Sequence, residues 1–290
     1  MRGAMERTEK MTVLIVGVGL IGGSFAVALR DRALAGEILG VDASAEHGAE
    51  ALARGLVDRM VALEEGIARA DLVVLATPAD TLPRLAVQVL DRATDRQVVM
   101  DMGSLKAELC AAVAGHVRRS RFVAVHPMWG TEHSGPAAAE HGAFAGRIAV
   151  VCERGRSAPD AVRLVERIFA ALGAPIVEME PEAHDRHAAY VSHISHVTSF
   201  ALALTVLEKE REERRIFDLA GGGFESTVRL AKSAASTWVP ILLHNKTNLL
   251  DVLGEHIRQL ERMRRMIECD DAEGLAEAMR RANEIRRILH

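Results

Sequence analysis

Cysteine and aromatic side chains are scarce in this chain of 290 residues. The three cysteines, Cys110, Cys152 and Cys269, are odd in number, widely separated and outside any C-x-x-C spacing. This pattern supports neither a disulfide framework nor a structural zinc site, and it makes the cytoplasm the expected compartment. Aromatic residues are only 3% of the chain, too few for a surface that stacks nucleic-acid bases or for an aromatic carbohydrate cleft.

An excess of basic charge and a long apolar run near the start are also missing. The 36 basic and 40 acidic side chains leave a formal charge of −4, without the positive footprint of a nucleic-acid binder. The polar start, Met1–Lys10, precedes an apolar run, Met11–Val16, that is far shorter than the ~20 residues a membrane span needs. We therefore expect no nucleic-acid partner and no membrane partner.

The first 180 residues have the pattern of a parallel sheet. Hydrophobic residues are 49% of the chain, enough for a packed core, and the length suits two domains of roughly 150 residues. Short apolar runs alternate with helical patterns, which is typical of an α/β domain whose strands are covered on both faces. The predicted strands of this domain are Val13–Val16, Ile38–Val41, Leu72–Ala76, Val98–Met100, Phe122–Val125, Ile148–Val151 and Pro175–Glu178.

From Pro181 onward the strand pattern stops, and residues 181–290 are predicted to form an all-α domain. Between Ala188 and Leu207 the helix is apolar nearly all round, which a small monomeric bundle cannot easily cover. A homodimer with interleaved helices is the simplest cover. The predicted helical segments are His184–Lys209, Phe224–Ser233, Pro240–Ile267 and Asp271–Leu289.

A dinucleotide-binding fingerprint follows the first strand. Gly17, Gly19 and Gly22 stand in G-x-G-x-x-G spacing between a strand and a helix, and Asp42 follows the last of them by twenty residues. The glycines allow a tight turn, close approach to a pyrophosphate and close helix packing, and the helix start offers free N–H groups. Asp42 would bind both ribose hydroxyls and repel a 2′-phosphate, which favours NAD over NADP; a helix cap or a solvated acid is the alternative. The residues predicted to hold the NAD phosphates are Gly17, Gly19, Leu20, Ile21 and Gly22.

Polar residues also follow three later strands, where ligands of open parallel sheets bind. Ser104 and His126 end neighbouring strands, so His126 is placed to accept a proton from a substrate alcohol. Alone, Ser104 would be read as a helix N-cap and His126 as a satisfied buried histidine. The further residues expected to contact the cofactor are Thr77, Pro78 and Gly103.

The helical half adds two groups. His193 and His196 are three residues apart and share one helix face, where substrate binding, structural burial and a metal pair are the competing interpretations. No H-E-x-x-H pattern accompanies them, which disfavours the metal. Arg229 follows a run of three glycines, and its planar fork suits a carboxylate, with a surface salt bridge as the alternative.

Together these residues resemble the prephenate and arogenate dehydrogenase family of tyrosine biosynthesis. The resemblance covers about Val13 to Leu260 and implies a Rossmann-type domain followed by a helical dimerisation domain. Trp129, Ser195 and Val239-Pro240 depart from the usual family residues. The matching motifs, in order, are GVGLIGGS (17–24), DMGSLK (101–106), HPMWGTEHSGP (126–136), HD (184–185), SHISH (192–196) and AGGGFESTVRLAKS (220–233).

The resemblance implies NAD-dependent oxidative decarboxylation of prephenate to 4-hydroxyphenylpyruvate, with arogenate or 4-amino-4-deoxyprephenate as alternative substrates. It implies that His126 is catalytic and assisted by Ser104, that His196 is a second active-site histidine, and that Arg229 binds a carboxylate. A regulator that senses NAD without turnover is the rival from another class, and it would have no need of these side chains. The positions implied to line or close the substrate pocket are Thr131, Glu132, Ser192 and His193.

Overall fold

The computed structural model describes residues 10–213 and 215–288. The polar start before Lys10 and the predicted helix end at Leu289 therefore lie outside the described residues. Within the described chain, a sheet with eight strands has the order β3-β2-β1-β4-β5-β6-β7-β8. The strands are β1 (Met11–Val16), β2 (Ala35–Val41), β3 (Arg59–Met60), β4 (Leu72–Leu75), β5 (Val98–Asp101), β6 (Phe122–Pro127), β7 (Ala149–Cys152) and β8 (Ile176–Met179).

The predicted α/β class is confirmed, with two differences in the sheet. The two-residue strand β3 was not predicted, because it is too short to carry an apolar run. Strand β7 is antiparallel to β6, so the sheet is mostly rather than wholly parallel. Apolar runs report burial on both faces but not strand direction, which the connection between β6 and β7 decides.

Each central strand is buried on both faces, as the continuous apolar runs predicted. Val13 and Ile15 of β1 belong to one hydrophobic cluster, whereas Leu14 and Val16 belong to another. Because successive side chains of a strand point to opposite faces, the two clusters are the two layers between sheet and helices. The core therefore fixes the sheet, and the loops at its carboxyl edge carry the polar residues.

Helices cover the sheet and make up most of the chain beyond β8. The segment from Pro181 to Glu210 is continuous, with a π-helical stretch at Ala189–His193. The α-helices are α1 (Leu20–Asp31), α2 (Ala45–Ala53), α3 (Leu63–Arg69), α4 (Leu82–Arg92), α5 (Ala107–Val113), α6 (Pro159–Ala171), α7 (Pro181–Ala188), α8 (Ile194–Glu210), α9 (Gly222–Val228), α10 (Ala235–His244), α11 (Lys246–Glu268) and α12 (Ala272–Ala282).

The predicted helix Pro240–Ile267 is two helices in the structure. Helix α10 ends at His244, and α11 begins at Lys246. Pro240 lies inside α10 rather than at a helix start, so its missing N–H falls within the helix. Asn245, between the two helices, is buried and donates its side-chain N–H to the Asp185 carbonyl. The hydrophobic period runs on through this break and conceals it.

The chain forms two compact units, one ending at Asn245 and the other starting at Lys246. The predicted boundary at 180/181 lies between the last strand, β8, and the helical part of the chain, and it stays a prediction. The segment Pro181–Glu210 is long and apolar enough, by length and composition alone, to cross a membrane. Its first turns bury His184, Asp185 and His193, so they form part of the interior of the first unit.

Candidate active site

The glycine turn after β1 lies against the end of β4. Gly17 has a φ of +95°, and a Cβ on it would come within 2.5 Å of the Ala76 carbonyl oxygen. A Cβ on Gly22 would collide with the carbonyl of Gly17. A Cβ on Gly19, by contrast, would meet nothing within 4 Å and would project into open space. Gly17 thus permits the tight turn, Gly22 permits close packing, and Gly19 leaves the backbone accessible to a ligand.

The start of α1 offers unpaired backbone donors beside this open space. Gly19 is the N-cap and has no side chain to accept the first N–H groups, and the first turn contains no acidic residue. Leu20 and Ile21 are partly exposed in this first turn. N–H groups with a positive helix end are suited to an anion, so the residues present fit a pyrophosphate.

Asp42 follows β2 and is tied into the same turn. Its carboxylate accepts the Val18 N–H at 3.0 Å and the Ser44 N–H at 2.9 Å. Ser44, not Asp42, is the N-cap of α2. The cap alternative for Asp42 is therefore wrong, and its carboxylate stays at the end of β2, where a ribose hydroxyl is expected.

The other predicted cofactor residues lie at the ends of β4 and β5. Thr77 and Pro78 begin the loop after β4, and the Thr77 hydroxyl bonds the Thr81 hydroxyl at 2.7 Å. Gly103 donates its N–H to Asp101 at 2.8 Å, and a Cβ on it would collide with Leu82. Packing against Leu82 therefore accounts for a glycine at position 103. The predicted contact of Gly103 with the cofactor stays a prediction.

A buried ion pair, which was not predicted from the sequence, joins β5 to β6. The Lys106 ammonium contacts the Asp101 carboxylate and donates to the Val125 carbonyl at 2.9 Å. Asp101 also accepts the Val125 N–H at 3.0 Å. Both charged side chains are completely buried. A buried, hydrogen-bonded charge pair holds the two strand ends in one arrangement, and sequence alone gives no sign that Lys106 is buried.

His126, at the end of β6, is buried and bonded to a second histidine. Its Nδ1 lies 2.8 Å from Nε2 of His184, whose Nδ1 lies 2.7 Å from the Asp185 carboxylate. Burial, together with the charges that His184 and Lys106 can carry, holds the pKa of His126 well below its ordinary value. His126 is therefore neutral at pH 7 and able to accept a proton.

Ser104, predicted to assist His126, lies in the loop between β5 and α5. Helix α5 has Lys106 as its N-cap, so the cap interpretation of Ser104 is wrong. Among the described residues, the side-chain partner of His126 is His184 rather than Ser104. The HD pair at 184–185 was visible as a motif, but its role depends on a contact across 58 residues.

His193 is buried where the helix widens into its π-helical stretch. The Asn245 amide donates to its Nδ1 at 3.1 Å. Such widened turns change the direction of side chains, and they occur often at functional sites. Burial lowers the pKa of His193 to about 4.

This lowered pKa predicts a loss of stability in mild acid. Between pH 6.5 and about 4, the unfolded chain protonates His193 while the folded chain does not. The free energy of unfolding should therefore be highest above pH 6.5 and should decrease as the pH falls toward 4. Urea unfolding across this range checks it, with His193→Asn expected to make the slope shallower, while His126 and His196, whose pKa values are also lowered, cause the remaining slope. An equally steep slope in that variant would assign the proton uptake to other groups.

His196 stacks on Trp238, with ring centroids 3.3 Å apart. Its Nδ1–H donates to the Ser192 carbonyl at 3.1 Å, and burial lowers its pKa. Neutral His196 therefore presents an acceptor at Nε2. Within the described residues no group of three His, Cys, Asp or Glu side chains could hold a metal.

Arg229 follows α9 and pairs with Glu132 at 2.5 Å. The Glu132 carboxyl has a lowered pKa, caused by a backbone hydrogen bond and by Arg229. Thr131, next to Glu132, accepts the His133 N–H at 3.3 Å. Half of the Arg229 side chain remains exposed. Glu132 lines an open cleft of about 570 Å³, whose other polar lining residues are His133, Ser134, Glu140 and Lys232.

Comparison with known proteins identifies the family. Residues 25–178 match the description "Prephenate dehydrogenase, nucleotide-binding domain", and residues 180–281 match "Prephenate dehydrogenase, dimerization domain". The prephenate dehydrogenase of Bacillus subtilis (strain 168) is 33% identical over 281 residues, which are 96% of this chain and 76% of that protein. The chain belongs to the prephenate dehydrogenase family.

Other members of the prephenate dehydrogenase family cover nearly the whole chain. The cyclohexadienyl dehydrogenase of Zymomonas mobilis is 27% identical, over 96% of this chain and 95% of that protein. A crystal structure of the Aquifex aeolicus prephenate dehydrogenase holds hydroxyphenyl propionate and NAD+. It has 29% sequence identity and a TM-score of 0.88, and the match covers 98% of this chain and all of that one. The predicted family and fold class are confirmed.

One of the departures from usual family residues, Trp129, has a structural account. Trp129 packs edge-on against Phe144, with ring centroids 5.7 Å apart, and so extends the hydrophobic core. Val239 is an exposed residue of α10. Ser195 is exposed, and nothing in the structure explains it.

Proposed function

We propose that this chain is an NAD-dependent prephenate dehydrogenase of tyrosine biosynthesis, which forms 4-hydroxyphenylpyruvate and CO₂. The observation that carries the proposal is the neutral, buried His126 at the carboxyl edge of the sheet, the same edge at which the dinucleotide turn follows β1. An enzyme that accepts a proton or hydrogen bond beside its cofactor needs a histidine held in this way. Family membership and the NAD+ bound by the Aquifex aeolicus relative support the same assignment.

His126 accepts the hydrogen bond of the substrate C4 hydroxyl in this mechanism. The glycine turn and Asp42 would hold NAD+, which would supply the acceptor for the C4 hydride, and loss of the ring carboxylate as CO₂ would leave the ring aromatic. Electron density that His126 draws onto the hydroxyl oxygen helps to expel the hydride. The phenol product keeps the oxygen-bound proton, so the histidine returns to its starting state.

Arg229 supplies the cation that a dianionic substrate requires. In the structure its guanidinium is paired with Glu132, so a substrate carboxylate has to replace or share that partner. Because half of the side chain is exposed, this exchange happens at the open side of the site. The arrangement orients one end of the substrate while His126 receives the other.

Asp42 is expected to set the preference for NAD. Asp42→Asn removes the charge that repels a 2′-phosphate, so the ratio of kcat/KM for NAD to that for NADP should fall about tenfold or more. Initial rates with both cofactors measure this ratio. Urea unfolding of the variant controls for the two backbone hydrogen bonds of Asp42. A native enzyme that prefers NADP would refute the role of Asp42.

The assembly is proposed to be a homodimer in the cytoplasm. Helix α8 and the π-helical stretch before it expose large apolar side chains, which need cover in water. The matched description of residues 180–281 as a dimerization domain agrees with this. The exposed side chains are Tyr190, Val191, Leu204 and Leu207.

Formation of NADH tests the function directly. Mixing the protein with NAD+ and prephenate should raise the absorbance of NADH, while arogenate in a parallel assay separates the main alternative substrate. A protein that binds NAD+ but turns over neither compound, nor 4-amino-4-deoxyprephenate, would be the non-catalytic sensor instead.

A further inference from the structure

The catalytic histidine candidate is the end of a buried chain of hydrogen bonds. His126 contacts His184 with their rings nearly perpendicular, at an interplanar angle of 73°. His184 in turn contacts Asp185. His184 and Asp185 are both buried, so water does not compete for these bonds. Nothing in the mechanism above uses either residue.

The acceptor at the far end determines where each proton lies. The Asp185 carboxylate can only accept, so His184 carries a proton on Nδ1. When this is the only ring proton of His184, its Nε2 has the lone pair and accepts a hydrogen bond from Nδ1 of His126. The Nε2 atom of His126 is left without a proton, which is the state that a hydrogen-bond acceptor for an alcohol needs.

The carboxylate that starts this chain is itself held by backbone donors. Asp185 accepts the N–H of Lys106 at 2.8 Å and the N–H of Ala107 at 2.9 Å, both at the start of α5. Asn245 donates to the Asp185 carbonyl at 2.7 Å. The bonds from Lys106 and Ala107 fix the carboxylate as an acceptor in one orientation, and the bond from Asn245 holds the main chain of Asp185.

From this geometry we propose that Asp185 and His184 are positioning residues that fix the tautomer of His126, leaving its Nε2 as the acceptor for the substrate hydroxyl. The relay Asp185–His184–His126 has the logic of a carboxylate that orients a catalytic imidazole, extended by one ring. It rests on the proposed function for its catalytic consequence, but the tautomer itself is a property of the free enzyme.

Nitrogen-15 NMR of histidine-labelled full-length protein tests the tautomer without any substrate. His126→Asn assigns the resonance. We expect Nδ1 of His126 to be protonated and Nε2 to be unprotonated at pH 7. A proton on Nε2 would overturn the proposal, and this result does not depend on whether prephenate is the substrate.

Two variants at position 184 test the catalytic consequence. His184→Gln places an amide oxygen near the former Nε2 and can still accept from His126, whereas His184→Leu cannot. We expect His184→Leu to lower kcat by on the order of 10²-fold relative to His184→Gln, with NAD affinity unchanged, and to shift His126 toward the Nε2–H tautomer. Equal kcat values in the two folded variants would overturn the role of His184.

Asp185→Asn tests the start of the relay. We expect the loss of the carboxylate charge to weaken the hydrogen bond from His184 Nδ1–H and to lower kcat. His187→Leu is the matched control, since His187 is an exposed histidine of the same helix. Its kcat and the His126 resonances should stay unchanged. An unchanged kcat in folded Asp185→Asn would exclude Asp185 from the relay.

Discussion

Replacing His126 by Asn should lower kcat with prephenate by on the order of 10²–10⁴-fold while leaving NAD affinity nearly intact. An asparagine amide can occupy the place of Nδ1 and still donate to His184, but it has no atom in the place of Nε2. The acceptor at Nε2 is then missing, and the hydride has to leave without help from the hydroxyl oxygen. Steady-state rates give kcat, and fluorescence titration gives the NAD dissociation constant.

His141→Asn is the control for this experiment, because His141 is an exposed histidine paired with Asp31. It should retain full activity. An activity of His126→Asn within tenfold of the parent enzyme would remove His126 from its role. In that case the low pKa of His126 would reflect burial alone.

The pH profile of activity tests whether His126 is the histidine that controls the rate. Burial holds the pKa of His126 well below 6.5, so kcat/KM should not fall through an ordinary histidine pKa. We expect activity to remain level from pH 8 to pH 6 and to be lost only in stronger acid. A titration centred near pH 6.5 would mean that a different histidine controls the rate.

Replacing Arg229 by Ala should raise KM for prephenate by on the order of 30- to 5,000-fold, equivalent to a loss of about 2–5 kcal/mol of binding. Two effects contribute to this increase in KM. The substrate carboxylate loses its cation, and the Glu132 carboxylate, now unpaired, repels the dianion. We expect kcat to change much less, because the arginine binds a group away from the reacting C4 atom.

The double variant Arg229→Ala with Glu132→Gln separates these two effects. Removing the unpaired carboxylate should recover part of the lost affinity, and the part not recovered measures the direct arginine contact. Arg229→Lys keeps the charge but loses the planar fork, so its KM should lie between that of the parent enzyme and that of Arg229→Ala. An unchanged KM in Arg229→Ala would place the carboxylate site elsewhere.

The dinucleotide turn could be predicted because its requirements are local. Three glycines at fixed spacing between an apolar run and a helical pattern describe a turn whose steric demands concern neighbouring residues and the next strand. The same holds for the alternating strands and helices of the first domain, which follow from side-chain period. In contrast, the antiparallel direction of β7 and the helix break at Asn245 depend on contacts that no local period reports.

The site residues divide in the same way. His126, His196 and Arg229 stood out because their types suit the chemistry and because they lie in recognisable motifs. Their partners did not, since a hydrogen bond joins only those atoms that the folded chain brings together. His184 and Glu132 each lie far along the chain from the residue they contact, 58 and 97 positions away.

Spacing and residue type were thus sufficient to predict the α/β sheet, the glycine turn and the chemical family, because these depend on short-range geometry and on the character of each side chain. The folded chain alone decided which nitrogen of His126 is free, which way His196 is protonated and what partner Arg229 has. Hydrogen-bond direction and burial set those states, and both arise only when distant segments pack together.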